Sequence, residues 1–450
     1  MEKFQISILI AFLISQSLFS QTVTLDNGIA KMDINLTGGV ITELSLNAID
    51  LNPIHQYGHF ICFDRWGPSS PADQALGIPW HGNGSKVTWT LHEGPILKED
   101  HYFAEMSCLL PIVKLGLSRK IYLNSNSSVF KVVEEISNHD DSTKVVNLVQ
   151  HPTIGAPFLD ESTIVDTEVD SGFSQAGNLP PTPADVFTWP EAVVDGDSTD
   201  LRYLSGDYTW WGPVVSFILD EKEEYRWVTA VNPSLNLMMG YIWPTSDYPW
   251  FNLWSEIKNS VPFARGLEFG STGLHQPWPE LLEMDTIFGK KLYEEIDVDT
   301  TLLKSYYAFL SEIPSDYKGV ESVTVAGGII TVEEYGLDPA RSIELDISSF
   351  PTGINASQTK QPGKFVLLQN YPNPFSSETS IEYSLPIGRN VHLEVFNAMG
   401  QSVGILVDEF QGAGNYQVTF NASGLTSGMY YCRIIAGKNQ LQTKMICFGI

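Results

Sequence analysis

Short β-strand patterns repeat along this chain almost without interruption, and they restrict its fold more than any other feature of the sequence. Between Thr22 and about Pro314, runs of β-branched and aromatic residues are separated by glycine, proline, asparagine and aspartate; examples are 87–91, 118–123, 129–136, 144–149 and 225–231. This spacing is typical of antiparallel strands joined by turns. No stretch of ten or more residues holds a helical period between caps. The sequence therefore predicts an all-β fold, with one large, many-stranded sandwich over residues 22–314.

A second strand-rich unit ends the chain. Residues 364–450 contain at least five strand patterns with glycines between them, which predicts a small Greek-key β-sandwich. Residues 315–363 separate the two units as a polar linker, and they include a hairpin pattern around Gly327 and Gly328. Together with residues 1–21, the sequence thus divides into four segments.

Residues 1–21 have the pattern of a secretory signal peptide. Lys3 precedes an apolar run from Ile6 to Phe19, and the small residue Ser20 follows it. The run is too short to span a membrane comfortably, and no other stretch approaches the roughly 20 apolar residues of a transmembrane helix. We therefore expect an exported protein without a transmembrane segment.

Charge and cysteine content exclude several classes of protein. The 450 residues carry 53 acids and 26 bases, a net charge of -27, whereas nucleic-acid binding needs a basic face. Four cysteines are too few for a disulfide scaffold in a chain of this length. Cys432 and Cys447 fall in neighbouring late strands, and the sequence leaves open whether they form a bridge or remain two buried thiols. No cysteine or histidine cluster suggests zinc, so we expect no metal site.

An acidic stretch interrupts the strand pattern between Asp160 and Asp207. Long loops in compact domains are usually functional lids or disordered segments. Asp195, Asp197 and Asp200 could be drawn as a calcium site, but they lack the EF-hand register. We interpret the stretch as a solvated acidic loop.

One strand delivers a histidine to its end. His151 follows the apolar run 144–149, after which the chain breaks at Pro152 and turns through Gly155 and Pro157. A titratable imidazole on a rigid strand is a common way to place a general acid or base. The alternative is a structural histidine that bonds to backbone, and spacing alone leaves both interpretations open.

The C-terminal unit carries four motifs in a characteristic order. They are LQNYPNPF at 368–375, VFNAMGQ at 395–401, ASGLTSGMYY at 422–431, and a terminal strand that begins at Lys444. Together they resemble the type A sorting domain of type IX secretion, although a generic adhesive sandwich is an alternative. The resemblance implies Sec-dependent export, passage through the outer membrane of a Bacteroidetes-type bacterium, and release or attachment at the cell surface. It makes the type IX secretion machinery a partner of residues 364–450 and says nothing about activity.

The large unit also carries a set of ordered motifs. They are CFDRWGP at 62–68, GIPWHGNG at 77–84 before Trp89, Arg119, HPTIG at 151–155, WFNLW at 250–254 and GLEFGST at 266–272. These motifs resemble the galactose mutarotase-like superfamily, the fold of aldose 1-epimerases. The resemblance implies a monosaccharide or oligosaccharide as the ligand and an isomerase that needs no cofactor.

Opening a cyclic sugar requires a base to remove the proton of the anomeric hydroxyl and an acid to protonate the ring oxygen. The resemblance implies that Glu268 is the base and His151 the acid. It also implies that His81 and Arg65 hold sugar hydroxyls. The full set expected to bind substrate is Arg65, Trp66, His81, Arg119, Trp254 and His275.

The sequence is also compatible with two other functions. Aldose 1-epimerases also use an aspartate before the glutamate, and neither Asp207 nor Asp247 lies in a matching motif. A non-catalytic carbohydrate-binding module on the same fold would explain this difference. A glycosidase or lyase would require a second carboxylate across the scissile bond, and only Glu268 stands out in a motif.

Tryptophan placement favours a carbohydrate ligand. All eleven tryptophans lie between Trp66 and Trp278, and none lies in the C-terminal unit. Sugars present apolar C–H faces that pack on indole rings. We expect two or three of the following to line a cleft: Trp66, Trp80, Trp210, Trp211, Trp250 and Trp254.

Overall fold

The structure is a computed structural model, and it describes residues 21–194, 197–204, 214–298, 300–336, 339–351, 365–386, 388–412 and 414–448. The predicted signal peptide, apart from Gln21, lies outside these residues. So do Asp195, Asp207, Trp210 and Trp211.

The strands of the first half are, in chain order, β1 Thr22–Asp26, β2 Ala30–Asn35, β3 Val40–Leu46, β4 Ile54–Asp64, β5 Thr90–Lys98, β6 His101–Leu110, β7 Leu115–Asn124, β8 Val129–Asn138, β9 Lys144–Gly155, β10 Ile164–Thr167, β11 Ser171–Ser174, β12 Phe187–Thr188, β13 Glu191–Val194, β14 Asp197–Asp200, β15 Val215–Ile218 and β16 Tyr225–Asn232. Those of the second half are β17 Leu237–Pro244, β18 Trp250–Lys258, β19 Val261–Gly270, β20 Thr286–Ile287, β21 Lys290–Lys291, β22 Glu294–Ile296, β23 Thr301–Glu312, β24 Val320–Ala326, β25 Ile329–Glu334, β26 Ser342–Asp346, β27 Val366–Leu367, β28 Glu378–Leu385, β29 Arg389–Asn397, β30 Ser402–Gln411, β31 Gly414–Asn421, β32 Gly428–Ala436 and β33 Asn439–Cys447.

Helices are few and short in the described part of the chain. They are α1 Pro71–Ala75, α2 Trp278–Met284 and the single 3-10 turns Pro183–Asp185 and Pro233–Leu235. None of these helices is long and apolar enough to cross a membrane.

The large unit is a sandwich of two antiparallel sheets. An eleven-stranded sheet has the order β1-β2-β3-β4-β9-β19-β18-β15-β11-β12, with β22 paired to the start of β9. An eight-stranded sheet has the order β10-β16-β17-β23-β8-β7-β6-β5. The prediction of an all-β fold is confirmed.

The hydrophobic core lies between these two sheets. Ile61, Leu148 and Phe269 of the larger sheet and Ile136 and Tyr306 of the smaller one are fully or almost fully buried in a single cluster. Because side chains alternate between the faces of a strand, the neighbours of Ile61 and Phe269 along β4 and β19 point to the opposite, outer face.

The acidic stretch between Asp160 and Asp207 is more structured than the sequence suggested. Its described residues include five short strands, of which β10 joins the smaller sheet, β11 and β12 extend the larger one, and β13 and β14 pair with each other. Arg202 stabilises the stretch through an ion pair between its guanidinium and Asp166 at 2.6 Å. The sequence pattern missed these strands because they are only two to four residues long.

The strands β24, β25 and β26 form a three-stranded sheet that packs on the outer face of the eight-stranded sheet. β24 and β25 turn at Gly327 and Gly328, and β26 adds a third strand that the sequence did not indicate. Val323, Ile330 and Leu345 contribute to a second hydrophobic cluster together with residues of the eight-stranded sheet. The division of the chain at 314/315 and 363/364 remains a prediction.

The C-terminal unit is a small sandwich with the sheets β27-β28-β31 and β30-β29-β32-β33. The connections β28–β29, β30–β31 and β31–β32 each cross from one sheet to the other, which agrees with the predicted Greek-key sandwich. Its core is separate from that of the large unit. Cys432 and Cys447 are free, buried thiols. The sequence left open a disulfide bridge or two buried thiols, and the structure has the two thiols. Cys432 pairs with Thr443 and Cys447 with Gly428, so the two cysteines are not cross-strand neighbours.

Candidate functional site

A cavity of about 660 Å³ opens on the outer face of the eleven-stranded sheet. Its floor is formed by the central strands β4, β9, β19 and β18, and its wall includes the segment between β4 and β5. The lining side chains are mostly aromatic or imidazole, with a few charged groups; they are Val40, Tyr57, Phe60, Trp66, Trp80, His81, Ser85, Lys86, His151, Val214, Trp254, Ser255, Glu256, Glu268 and His275. This size and lining suit a small organic ligand.

Strand register brings His151 and Glu268 together. Gly266 of β19 pairs with Thr153 of β9, and Phe269 pairs with Gln150, so the residues between them in each strand stand opposite each other. His151 Nε2 lies 3.2 Å from Glu268 Oε1. Directly opposite residues of antiparallel strands are the closest side-chain neighbours in a sheet. The pair is therefore a direct consequence of the register.

Gly266 leaves the space that this pair occupies. A Cβ atom at Gly266 would lie 2.9 Å from Glu268 Oε1 and 3.3 Å from His151 Cε1. Both contacts are closer than ordinary packing allows. A side chain at this position would therefore displace one of the two groups.

The imidazole of His151 is held on two sides. The ring of Phe60, its neighbour on β4, stacks on it with centroids 4.3 Å apart and an angle of 18° between the planes. Thr153 Oγ1 lies 3.0 Å from His151 Nδ1. These contacts fix the ring so that Nε2 points toward Glu268, and a second partner on the far nitrogen is a common way to orient a working histidine.

Burial disfavours the charged form of both members of the pair. The side chain of Glu268 is 1% exposed, and burial raises its pKa well above the ordinary value, an effect that the neighbouring Trp66 indole partly opposes. Burial also lowers the pKa of His151. Burial therefore favours the form of this contact in which both groups are uncharged, a hydrogen bond between a carboxylic acid and a neutral imidazole.

Two buried polar atoms beside this pair have no hydrogen-bond partner among the described residues. They are Trp66 Nε1 and Glu268 Oε2. The two groups are near enough for the indole to lower the pKa of the carboxyl, but the two atoms do not meet the geometry of a hydrogen bond. A buried polar atom without a partner costs free energy, roughly 1–3 kcal/mol, and such atoms are rare in folded proteins. Both residues line the cavity. A ligand with hydroxyl groups could satisfy both atoms.

His81 stands in the cavity wall on a strained turn. Its φ of 64° is in the left-handed region, and Gly82 follows with φ of 73°. The Gly67 N–H points at His81 Nδ1 at 3.3 Å, while the Trp80 Nε1–H donates to His81 Nε2 at 2.9 Å. Burial holds the pKa of His81 well below its ordinary value, so the ring is neutral and only one of its nitrogens can accept a proton. The contact with Trp80 is the shorter one.

A third imidazole completes the upper part of the cavity. The His275 ring lies 5.0 Å from the Trp66 ring, 5.2 Å from His81 and 5.3 Å from Trp80, measured between centroids. Burial lowers the pKa of His275 to about 4. The cavity thus holds three histidines whose charged forms are disfavoured by burial. In the described ranges, no group of three or more His, Cys, Asp or Glu residues is arranged to hold a metal ion.

The structure places six of the eight predicted site residues around this cavity: His151, Glu268, Trp66, His81, Trp254 and His275. The two arginines are elsewhere. Arg65 is buried and binds Asp64 at 2.9 Å and also Asp73, which joins the end of β4 to the start of α1. Arg119 lies in the sandwich core, where it binds Glu134 at 2.7 Å and packs over Trp89. Both arginines therefore have structural partners and do not line the cavity.

Several lining residues did not stand out in the sequence. Phe60 is the cross-strand neighbour of His151, and Tyr57 lies earlier on β4. Glu256 follows Trp254 by two residues on β18, so both point to the same face. The alternation of side chains between the two faces of β18 was the sequence signal that could have placed Glu256 beside Trp254. Of the other candidate tryptophans, Trp80 lines the cavity, whereas Trp250 is buried in a separate cluster.

Comparison with known proteins identifies the C-terminal unit. Residues 369–447 match the family described as the secretion system C-terminal sorting domain. The match confirms the resemblance to a type IX sorting domain, and it marks the chain for secretion or display at the cell surface. It covers this unit alone. Among curated proteins, no sequence matches the chain.

Solved structures similar to this chain are galactose mutarotase-like proteins. A galactose mutarotase-like protein from Lactobacillus casei is 15% identical, and the match covers 65% of this chain and 100% of that one with a TM-score of 0.46. A galactose mutarotase related enzyme from Lactobacillus acidophilus is 12% identical, with coverages of 66% and 100% and a TM-score of 0.46. A protein from Synechocystis sp. PCC 6803 is 14% identical, with coverages of 69% and 100% and a TM-score of 0.47. At these identities and TM-scores the likeness carries no conclusion about activity.

Proposed function

We propose that the large unit interconverts the two anomers of a sugar, with His151 and Glu268 as the proton-transfer pair. The observation that carries this proposal is the 3.2 Å contact between His151 Nε2 and Glu268 Oε1 in the floor of the cavity. An acid and a base in direct contact, shielded from water and open to a ligand on one side, are what this reaction needs.

The chemistry requires two proton transfers at neighbouring oxygens. A base removes the proton of the anomeric hydroxyl, and an acid protonates the ring oxygen as its bond to the anomeric carbon breaks. Both oxygens are bonded to the same carbon, so the acid and the base must also be close neighbours. Cross-strand neighbours such as His151 and Glu268 meet this requirement.

Protonation states favour the reverse of the roles that the sequence resemblance implied. Burial favours the protonated form of Glu268 and the neutral form of His151, so Glu268 is suited to donate a proton and His151 to accept one. We therefore assign the base to His151 and the acid to Glu268. In this assignment neither group has to be charged before the sugar enters.

The proton balance closes over one cycle. In ring opening, the anomeric hydroxyl gives its proton to His151, Glu268 gives its proton to the ring oxygen, and the bond between ring oxygen and anomeric carbon breaks to leave an aldehyde. The aldehyde group then rotates about its bond to the next carbon. In ring closure, Glu268 takes the proton back as the oxygen attacks the carbonyl carbon, and His151 returns its proton to the carbonyl oxygen. The protein ends in its starting state.

Aromatic residues supply the binding surface. Trp66, Trp80 and Trp254 line the cavity, and indole rings pack well on the C–H faces of a sugar. The same surface supports the second candidate, a non-catalytic carbohydrate-binding module. The sugar would then occupy the cavity without turnover.

A glycosidase is not favoured. Glu256 is a second carboxylate in the cavity, but on β18 it lies four residues from Asn252, the partner of Glu268. Four residues along a strand separate the two backbone positions by about 13 Å, whereas glycosidase carboxyl groups lie roughly 5–9.5 Å apart, so the two side chains would have to extend toward each other. Glu256 is also bound to Lys258 at 3.1 Å.

For localisation, we propose Sec-dependent export through residues 1–21, followed by type IX secretion directed by residues 364–450. The sorting-domain match at 369–447 supports the second step. The first step rests on the sequence pattern alone. The protein would then act on sugars outside the cell or at the outer-membrane surface.

Anomer equilibration followed by NMR tests the catalytic proposal. Freshly dissolved α-glucose, α-galactose and uronic acids are mixed with the full chain and with the variants Glu268→Gln and His151→Gln. Glu312→Gln, an exposed site at the end of β23, is the matched control. We expect acceleration with the wild type and the control, and a loss of roughly 10²–10⁴-fold in each of the other variants. No acceleration by the wild type, with sugars still quenching tryptophan fluorescence, would favour the binding module.

A further inference from the structure

Building on the proposed anomer chemistry, we propose that the sugar carries an anionic substituent and that Lys86 binds it. This inference therefore rests on the function proposed for the same cavity. The anionic groups considered are a carboxylate, as in a uronic acid, and a sulfate or phosphate ester. Each of them pairs with a lysine ammonium in the same way.

Lys86 is a cation in the cavity wall without an acidic partner. Its side chain is exposed and lines the cavity, and no Asp or Glu forms an ion pair with it among the described residues. Lysines elsewhere in this acidic chain are commonly paired, as Lys31 is with Glu43 at 2.8 Å and Lys98 with Glu93 at 2.8 Å. An unpaired lysine at the mouth of a cavity is therefore unusual here.

Lys86 lies on the same chain segment as His81. It follows the strained turn at His81 and Gly82, and its N–H donates to Asn83 O at 2.9 Å, which anchors the backbone at this position. Its charge also reaches into the cavity. Burial chiefly lowers the pKa of His81, and the positive charge of Lys86 is a further cause of the lowering.

The rest of the cavity does not neutralise this charge. Burial favours the uncharged form of Glu268 and of the three histidines. Glu256 is balanced by Lys258 at 3.1 Å. The cavity therefore presents one unbalanced positive charge on a protein whose net charge is -27.

The contrast between the negative net charge of the protein and the positive charge of Lys86 indicates which ligands the cavity favours. A strongly acidic protein repels anions at long range, so it gains nothing in non-specific attraction for an acidic sugar. A local cation inside the cavity offsets this repulsion only for a ligand that enters. The arrangement fits selection of an acidic sugar from a mixture of neutral ones.

The test compares paired sugars in the full chain. The initial rates of anomer equilibration are measured by NMR for galacturonate against galactose, and for glucuronate, glucose 6-sulfate and glucose 6-phosphate against glucose. The variants are Lys86→Gln and the control Lys222→Gln, which removes the same charge from an exposed site paired with Asp220. Binding of each sugar is measured in parallel by tryptophan fluorescence.

We expect the wild type to prefer at least one acidic sugar over its neutral partner by roughly tenfold in kcat/KM, the range of a charge-assisted contact. Lys86→Gln abolishes this preference by lowering the rate with the acidic sugar more than the rate with its neutral partner, whereas Lys222→Gln keeps the preference. The identity of the acidic sugar whose rate depends on Lys86 shows whether the bound group is a carboxylate or an ester. Raising the ionic strength from about 0.01 M to about 1 M shortens the Debye length from roughly 30 Å to roughly 3 Å, and weakens the preference.

Failure of this inference and failure of the proposed function give different results. If acidic and neutral sugars react at equal rates, and Lys86→Gln changes both rates equally or not at all, the inference is overturned. The anomer chemistry is then still supported. Absence of turnover together with Lys86-dependent binding of an acidic sugar overturns the proposed chemistry and supports the inference. Absence of both turnover and binding overturns both.

Discussion

Two buried glutamates lie in different environments of the large unit, and their surroundings differ in an instructive way. Glu134, on β8, points into the sandwich core, where Arg119 binds one carboxylate oxygen at 2.7 Å and Gln150 donates to the other at 2.7 Å. Glu268, on β19, points to the outer face, where His151 is 3.2 Å from one oxygen and the other oxygen has no partner among the described residues. Both side chains are almost completely buried.

The difference separates a structural carboxylate from a reactive one. Around Glu134 an arginine supplies a permanent positive charge, and Tyr248 adds a further hydrogen bond at 3.3 Å. Within the described ranges no arginine or lysine is bound to Glu268, so burial favours its protonated form. Gln150, which contacts Glu134, and His151, which contacts Glu268, are consecutive residues of β9. Their side chains therefore point to opposite faces of the sheet, one into the core and one into the cavity. A buried carboxyl that lacks a cation and keeps a free oxygen is suited to proton transfer.

The largest expected effect is on stability, from Glu134→Gln. The substitution leaves Arg119 as a buried charge without its counter-ion, and breaking a buried pair in this way costs about 3–5 kcal/mol. Urea unfolding measures the change in the free energy of unfolding. Glu268→Gln is the matched comparison, and we expect it to change stability by less than about 1 kcal/mol because it removes no ion pair. Equal losses for the two variants would mean that the two glutamates do not differ in role.

Gly266→Ala is expected to affect turnover more than stability. The added Cβ meets Glu268 Oε1 at 2.9 Å and His151 Cε1 at 3.3 Å, and a displacement of about 1 Å in a reacting pair can lower a rate roughly 10²-fold. Gly428→Ala serves as the control, because a Cβ there meets nothing within 4 Å. The measurement is kcat/KM for the best sugar substrate. Unchanged turnover in the Gly266 variant would argue against the His151–Glu268 contact as the site of reaction.

The buried histidines predict a smaller, pH-dependent effect. Burial lowers the pKa of His59 to about 3 and of His275 to about 4, from an ordinary value of 6.5. The unfolded chain therefore binds protons that the folded chain does not, so the stabilisation is complete above pH 6.5 and is lost as pH falls toward 4. Each histidine contributes a slope of up to about 1.4 kcal/mol per pH unit.

Urea unfolding at several pH values between 7.5 and 4.5 checks this slope. His59→Gln removes one buried histidine from the core, and His275→Gln removes one from the cavity. We expect each variant to have a shallower loss of stability with acid than the wild type. A slope that is unchanged in both variants would contradict the prediction. Over the same range turnover per folded molecule should persist, because burial lowers the pKa of His151 as well and keeps it neutral.

Trp80→Phe is expected to have the smallest effect. Phenylalanine keeps an aromatic ring but removes the indole N–H that donates to His81 Nε2 at 2.9 Å. His81 then has a nitrogen free for a sugar hydroxyl, and a net hydrogen bond of about 0.5–1 kcal/mol corresponds to a two- to fivefold gain in sugar affinity. Trp278→Phe, outside the cavity lining, is the control. Fluorescence titration measures the affinity of both variants, and a loss of affinity in the Trp80 variant would contradict this prediction.

The sequence by itself determined the fold class and most members of the site. Period-two patterns with turn residues between them predicted two β-sandwiches, because strands of this kind bury one face and cannot be stable alone. Motifs around His151, Glu268, His81 and Trp66 marked residues that the structure brings to one cavity. These signals are local, since each depends on a few neighbouring residues.

Tertiary structure decided the partners and the charge states. Arg65 and Arg119 looked like sugar-binding residues, but only the folded chain shows that Asp73 and Glu134 already occupy them. The contact between His151 and Glu268 depends on the register of two strands that are more than a hundred residues apart in the chain. Their protonation depends on burial, and burial is a property of everything packed around a side chain, so no local pattern encodes it. For the same reason, Lys86 was inconspicuous in the sequence and became a candidate only once its surroundings were known.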